Sequence, residues 1–141
     1  MPRIVAIDYG TKRVGLAATD KDQIIASGLT TVHSKDLMDY LRQFVSDNEV
    51  ECFVLGEPKN LQNEETNSSE AINNFCKFLQ RTFPEIPVHR IDERFTSKLA
   101  FQSMIDSGLS KKQRQNKGLV DEVSATIILQ DFMERRANGF I

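Results

Sequence analysis

The sequence predicts an α/β layer fold, a mixed five-stranded sheet with helices on both faces. Three observations carry that expectation. Short apolar runs bounded by Gly, Pro, Asn or Asp recur five times along the chain. The first three follow one another through tight turns, which is a meander. The remaining two alternate with segments whose apolar residues recur at helical spacing.

Taken in order, Ile4–Asp8, Arg13–Ala18 and Ile24–Val32 read as strands. A Gly10-containing turn joins the first two and Asp20-Lys21-Asp22 turns the chain into the third. Ser34 is placed to cap a helix over about Lys35–Asp47, with Leu37, Tyr40, Leu41, Phe44 and Val45 on one face. Cys52–Leu55 is a continuous apolar run, hence a buried strand ending at Gly56-Glu57-Pro58. After a polar loop, Asn67 and Glu70 resemble a capping box that opens a helix over Ser68–Thr82, with Ile72, Phe75, Cys76 and Leu79 inward. Pro84 and Pro87 end it, and Val88–Asp92 is the fifth strand. Thr96 or Ser97 can cap a short helix ending at Gly108, and a polar basic segment leads to a long helix from about Leu119 to Arg136. Arg135 and Arg136 suit the negative end of its dipole.

A length of 141 residues predicts a single domain, 1–141, with one core. No apolar run approaches the roughly 20 residues of a membrane span, and Met1-Pro2-Arg3 leads into a strand without a signal-peptide pattern. A soluble, cytoplasmic protein is expected. Cys52 and Cys76 lie in apolar patterns far from any Cys-x-x-Cys spacing and read as reduced core residues. His33 and His89 are isolated, which gives a zinc site little support. The net charge of −2 argues against a generic nucleic-acid coat protein. Its distribution is uneven: residues 97–118 hold Lys98, Lys111, Lys112, Arg114 and Lys117 against Asp106 alone, while residues 34–96 are net acidic. That cluster is either a solvated surface or the part of an enzyme that holds a polyanion.

The acids are the more informative set. Strands one, four and five of such a sheet can run parallel, and ligand sites form at their carboxyl ends. Asp8 ends the first, Glu57 follows the fourth, and Asp92-Glu93 end the fifth. Asp121 falls in the first turn of the last helix, on one stripe with Ser124, Ala125 and Ile128. Either it faces inward at the rim of the sheet, or it merely favours the helix N-terminus, an effect of about 0.3–1 kcal/mol. Carboxylates that meet within a few ångströms do not all stay ionised without a cation between them. With no His or Cys nearby, the fitting ion is hard, Mg²⁺ or Mn²⁺. Two such ions about 4 Å apart activate water and stabilise the leaving oxygen of a phosphodiester. The plainer alternative is ordinary polarity at strand ends.

Three blocks of residues, in order, carry a resemblance. Ile7-Asp8-Tyr9-Gly10-Thr11-Lys12-Arg13-Val14-Gly15-Leu16-Ala17 resembles the opening motif of the YqgF/RuvX family. Asp92-Glu93-Arg94-Phe95-Thr96 and Lys117-Gly118-Leu119-Val120-Asp121-Glu122-Val123-Ser124-Ala125-Thr126-Ile127-Ile128-Leu129-Gln130 resemble its later ones, with matching spacing and total length. The resemblance implies a ribonuclease H-like fold of strand order 3-2-1-4-5. It implies a metal-dependent nuclease assigned to 5′-end maturation of pre-16S ribosomal RNA, with Holliday junction resolution, by analogy with the RuvC resolvases, as the second reading. Carried over, the catalytic and metal-binding triad is Asp8, Glu93 and Asp121, around a two-metal Mg²⁺ or Mn²⁺ site. Strand alternation sends Asp92 and Glu93 to opposite faces, so one of them should be a ligand, and the motif favours Glu93. The family often has Gly-Leu-Pro where this chain has Gly56-Glu57-Pro58. Glu57 is therefore an extra ligand or, the favoured reading, an exposed loop residue.

The motif match favours Lys12 at the scissile phosphate and Arg13 paired with an acid of the site, over two solvated turn residues. Lys111, Lys112, Arg114 and Lys117 would contact flanking phosphates without reading sequence. Tyr9 and Phe95 are candidates for stacking on a base, Phe95 equally for the core. The expected partner is nucleic acid, pre-rRNA first and branched DNA second, with the pre-ribosome as a source of affinity. Both a monomer and a homodimer fit. Two rivals remain at this stage, an actin-like phosphotransferase, whose phosphate motif also runs strand-Asp-x-Gly-Thr, and a non-catalytic nucleic-acid-binding module.

Overall fold

Ile4, Val5, Ala6 and Ile7 are all buried, so the strand that carries them is covered on both sides. In the computed structural model, which describes residues 2–10, 12–57, 69–92 and 117–139, this run is β1 (Arg3–Tyr9), the centre of a five-stranded sheet. With β2 (Arg13–Thr19), β3 (Ala26–His33), β4 (Val50–Glu57) and β5 (Val88–Asp92), the sheet has the order β3-β2-β1-β4-β5. Both hairpin partners, β1–β2 and β2–β3, are antiparallel, whereas β1–β4 and β4–β5 are parallel. The helices among the described residues are α1 (Leu37–Asp47), α2 (Ser69–Thr82) and α3 (Lys117–Ala137). The short helix expected to end at Gly108 lies outside the described residues.

Strand alternation divides the core into two layers. Val5, Ile7, Val14, Leu16, Phe53 and Leu55 pack against Leu37 and Leu41 of α1 and Ile72, Phe75, Cys76 and Leu79 of α2. The opposite face presents Ile4, Ala6, Ala17, Cys52, Val54 and Ile91 to Ala125, Ile128, Leu129 and Phe132 of α3. The result is the three-layer arrangement that the apolar periodicity predicts. Both cysteines are free and buried, and burial pushes the Cys52 thiol up to about 11. No helix among the described residues is long and apolar enough to cross a membrane.

Four local expectations need correction. The third strand starts at Ala26, not Ile24. Asp20 accepts the backbone N–H groups of Ile24 (2.7 Å) and Ile25 (3.0 Å), Gln23 adopts φ +57°, and the turn runs on through two exposed isoleucines. A carboxylate that captures nearby N–H groups competes with the sheet ladder, and it overrides the β-propensity of Ile-Ile. The same two bonds, Ile25 first, hold the Asp20 carboxyl below the usual carboxylate range. Second, His33 and not Ser34 caps the next element: its Nδ1 accepts the Lys35 N–H at 3.2 Å, and a 3₁₀ turn over Ser34–Asp36 precedes α1. Third, β4 extends to Glu57, in register with Asp92 of β5, so Glu57 belongs to the strand rather than to a following loop. Fourth, α3 begins at Lys117, two residues before the expected start, and Asp121 is not in its first turn. The effect of a helix N-terminus on a charge fades beyond that turn.

The far end of α3 is tied to the sheet by Arg136, whose Nη1 donates to Glu51 Oε2 at 2.5 Å. This bond holds the Glu51 carboxyl below its ordinary value. A carboxylate with a depressed folded-state pKa contributes stability that is present above its unfolded value and is lost as pH falls through the folded one. Urea unfolding of wild type and Arg136→Gln should therefore differ at pH 7 and converge as the pH falls from about 5 to 3. The two side chains are 42% and 34% exposed, so the difference should stay below about 1 kcal/mol.

Candidate active site

The hairpin β1–β2 places Gly15 directly opposite Asp8. A glycine inside a strand weakens it unless something must approach closely, and here α3 does. A Cβ on Gly15 would collide with the backbone carbonyl of Asp121 and come within 3.0 Å of Glu122 N. The hydrogen of Gly15 thus lets the helix backbone settle onto β2 at the level of Asp8. One residue further, the Glu122 side chain lies over Gly28 of β3, where a Cβ would stand 2.6 Å from Glu122 Oε1. Buried Ser124 and Ala125 continue the close contact on the next turn.

That contact delivers Asp121 to the carboxyl end of β1. Arg13, the first residue of β2, meets it there: Nε donates to Asp121 Oδ2 at 2.8 Å. The β1–β2 turn is tight, since a Cβ on Gly10 would lie 2.5 Å from the Arg13 carbonyl oxygen. The residue just before β2 is held from the side, because Ser34 N donates to Lys12 O at 3.0 Å. Asp8, Tyr9, Gly10, Lys12, Arg13 and Asp121 together line a cleft of about 280 Å³. The Tyr9 ring stacks on Phe75 of α2, centroids 4.7 Å apart and planes at 14°.

Five of the residues singled out in the sequence, Asp8, Tyr9, Lys12, Arg13 and Asp121, therefore share one cleft. The expected pairing of Arg13 with an acid is present, and the acid is Asp121. Glu93, Lys111, Lys112 and Arg114 lie outside the described residues, and of Lys117 only its place at the start of α3 is described. Among the described residues no group of three or more His, Cys, Asp or Glu is placed to hold a metal. The two histidines serve elsewhere, His33 as a cap and His89 against the Phe132 ring at 5.2 Å. Gly15, which stands inside the first motif but was given no role there, is the residue that lets the Asp121 backbone approach. Its signal was present as a mid-strand glycine across a hairpin from an acid.

The sequence profile of a family described as "RuvX: Holliday junction resolvase" matches residues 2–135. The chain belongs to the RuvX family. A relative from Flavobacterium johnsoniae is 54% identical over 136 residues, covering 96% of this chain and 99% of its own. Another from Flavobacterium psychrophilum is 55% identical over 136 residues with the same coverage. Each of these RuvX relatives carries the name "Putative pre-16S rRNA nuclease". Among solved structures, RuvC of T. thermophilus in complex with a Holliday junction substrate has a TM-score of 0.58 at 14% identity, covering 99% of this chain and 98% of its own. Fowlpox virus resolvase bound to Holliday junction DNA has a TM-score of 0.54 at 13% identity, covering 95% and 98%. These neighbours share the fold, a RuvC-like ribonuclease H architecture, with this RuvX chain.

Proposed function

We propose that the chain is a divalent-metal-dependent nuclease that hydrolyses phosphodiester bonds in the 5′-end maturation of pre-16S rRNA. The carrying observation is the convergence of Asp8 and Asp121, from β1 and α3, on a cleft that also holds Lys12 and Arg13. The names of the near full-length relatives support the RNA substrate.

The donor set of the cleft fits a hard cation. Its carboxylates are Asp8 and Asp121, and its described lining contains no His or Cys that would select a softer ion. Asp8 and Asp121, with Glu93 as the third carboxylate, would hold Mg²⁺ or Mn²⁺. When bound, the metal pair supplies an activated water and charge stabilisation at the leaving oxygen. The chain's own contributions are positional. Arg13 holds Asp121 by its Nε bond, the tight Gly10 turn presents Lys12 to the phosphate, and the close Gly15 contact sets the height of α3 over the sheet. Lys111, Lys112, Arg114 and Lys117 are the proposed contacts to flanking phosphates, and their contribution should fall as salt rises. In this reading residues 1–141 act as one cytoplasmic domain, and a monomer suffices because trimming an RNA end needs one site.

The second reading is resolution of branched DNA, favoured by the family description. It requires two sites related by a two-fold axis, hence a homodimer. Cleavage of a pre-16S 5′-leader RNA and of a four-way DNA junction, each in Mg²⁺ and in Mn²⁺, separates the readings. The RNA should be cut faster by wild type, and Asp121→Asn should lower cleavage of either substrate at least about 100-fold. Preferential junction cutting would transfer the assignment to the second reading. Undiminished cleavage by Asp121→Asn would remove the cleft from the chemistry, and no cleavage of any substrate by wild type would leave a binding module.

A further inference from the structure

The Arg13–Asp121 pair is made by Nε, and that choice of atom has chemical content. A guanidinium carries five N–H donors in a rigid plane, one on Nε and four on the two terminal nitrogens. An arginine that grips a carboxylate end-on through both terminal nitrogens keeps three N–H donors, but they are divided between the two remaining edges of the plane. One that grips through Nε keeps a terminal pair for another acceptor, and the two anions are then held at a fixed separation by one flat group. The Arg13 side chain is 46% exposed while that of Asp121 is 23% exposed. The guanidinium therefore sits on the solvent side of the pair, within the lining of the cleft where a phosphate would enter.

We infer that Arg13 is a bridging residue: its Nε orients Asp121 while its terminal amino groups bind a phosphate oxygen of the substrate strand, both at once. The inference rests on the nuclease reading of this cleft and adds to it a physical coupling between a metal-binding carboxylate and the phosphate it acts upon. Lysine cannot reproduce this. It retains the positive charge, but a single nitrogen on a flexible stem does not hold two anions in one plane.

The bridge can be followed without cleavage. In chelator, with a 12-nucleotide single-stranded RNA of pre-16S leader sequence, the Nε–H NMR signal of Arg13 should be resolved in free wild type and lost in Asp121→Asn. On adding RNA it should persist, while the terminal guanidinium signals shift. By fluorescence anisotropy, Arg13→Lys and Arg13→Gln should each bind this RNA roughly tenfold more weakly, the scale of losing a bidentate charge-assisted contact. Lys21→Gln, remote from the cleft, should bind like wild type. In metal-activated cleavage Arg13→Lys should lower kcat as well as raise KM, because both anions lose their shared support. Collapse of the Nε–H signal on RNA binding would overturn the bridge, since Arg13 would then leave Asp121 to grip the phosphate. Wild-type affinity in Arg13→Lys would overturn it as well. Should wild type neither bind nor cut nucleic acid, the nuclease reading itself fails, an outcome distinct from either of these.

Discussion

Asp8→Asn is expected to cut as a folded protein with roughly 10²–10³-fold lower activity, the scale on which losing one group that faces reacting charge is felt. Asn keeps the shape and most of the hydrogen-bonding capacity of Asp and removes the charge that a cation needs. Asp8 sits at the end of the central strand, and its Cα partner is Gly15. Loss of its charge also removes repulsion from Asp121 in the same cleft, so stability should hold within about 1 kcal/mol of wild type or rise slightly. Urea melts alongside cleavage at saturating Mg²⁺ make the check. A loss of activity that merely tracked a loss of folded protein would reduce Asp8 to a strand-end structural residue.

Gly15→Ala should damage both folding and chemistry. The added methyl meets the backbone carbonyl of Asp121, which cannot rotate away without moving the helix. Overpacking of this kind costs about 1–3 kcal/mol. The relief available, a shift of α3 away from β2, carries Asp121 with it, and a displacement of about 1 Å at a catalytic group can cost roughly 10²-fold in rate. Gly28→Ala is the matched control. Its methyl meets the Glu122 side chain, Oε1 at 2.6 Å and Cγ at 2.7 Å, and relief needs a new Glu122 rotamer but no movement of the helix backbone, so the losses of stability and cleavage should be smaller than in Gly15→Ala. Equal losses in the two variants would remove the special role assigned to Gly15.

The sheet was legible in the sequence because its evidence is repeated: apolar runs between turn residues, with buried positions alternating faces. The two-layer core follows from the same periodicity, and Leu37, Leu41, Ile72, Leu79, Ala125 and Ile128 occupy the places it predicts. Element ends were less legible, because single polar contacts decide them. Asp20 takes two N–H groups and delays β3, and a histidine nitrogen displaces a serine as cap. Neither acceptor differs in sequence from the many polar residues that face water. At the site, the strand-end rule located Asp8 and the motif located Asp121 and Arg13. What pattern could not supply was the distance between helix and sheet, which depends on one absent methyl group at Gly15.

The Glu51–Arg136 pair gives α3 a mechanical meaning. Asp121 and Arg136 are 15 residues apart on one helix, a span of about 22 Å at 1.5 Å per residue. The helix is a beam bolted to the sheet near both ends, by this ion pair at one and by the Gly15 contact at the other. A tilt of about 3° around the distant bolt moves the Asp121 end by roughly 1 Å over that span. Whatever sets the tilt of α3 at that far end, the buried packing of Phe132 more than the half-exposed ion pair, is therefore felt at Asp121.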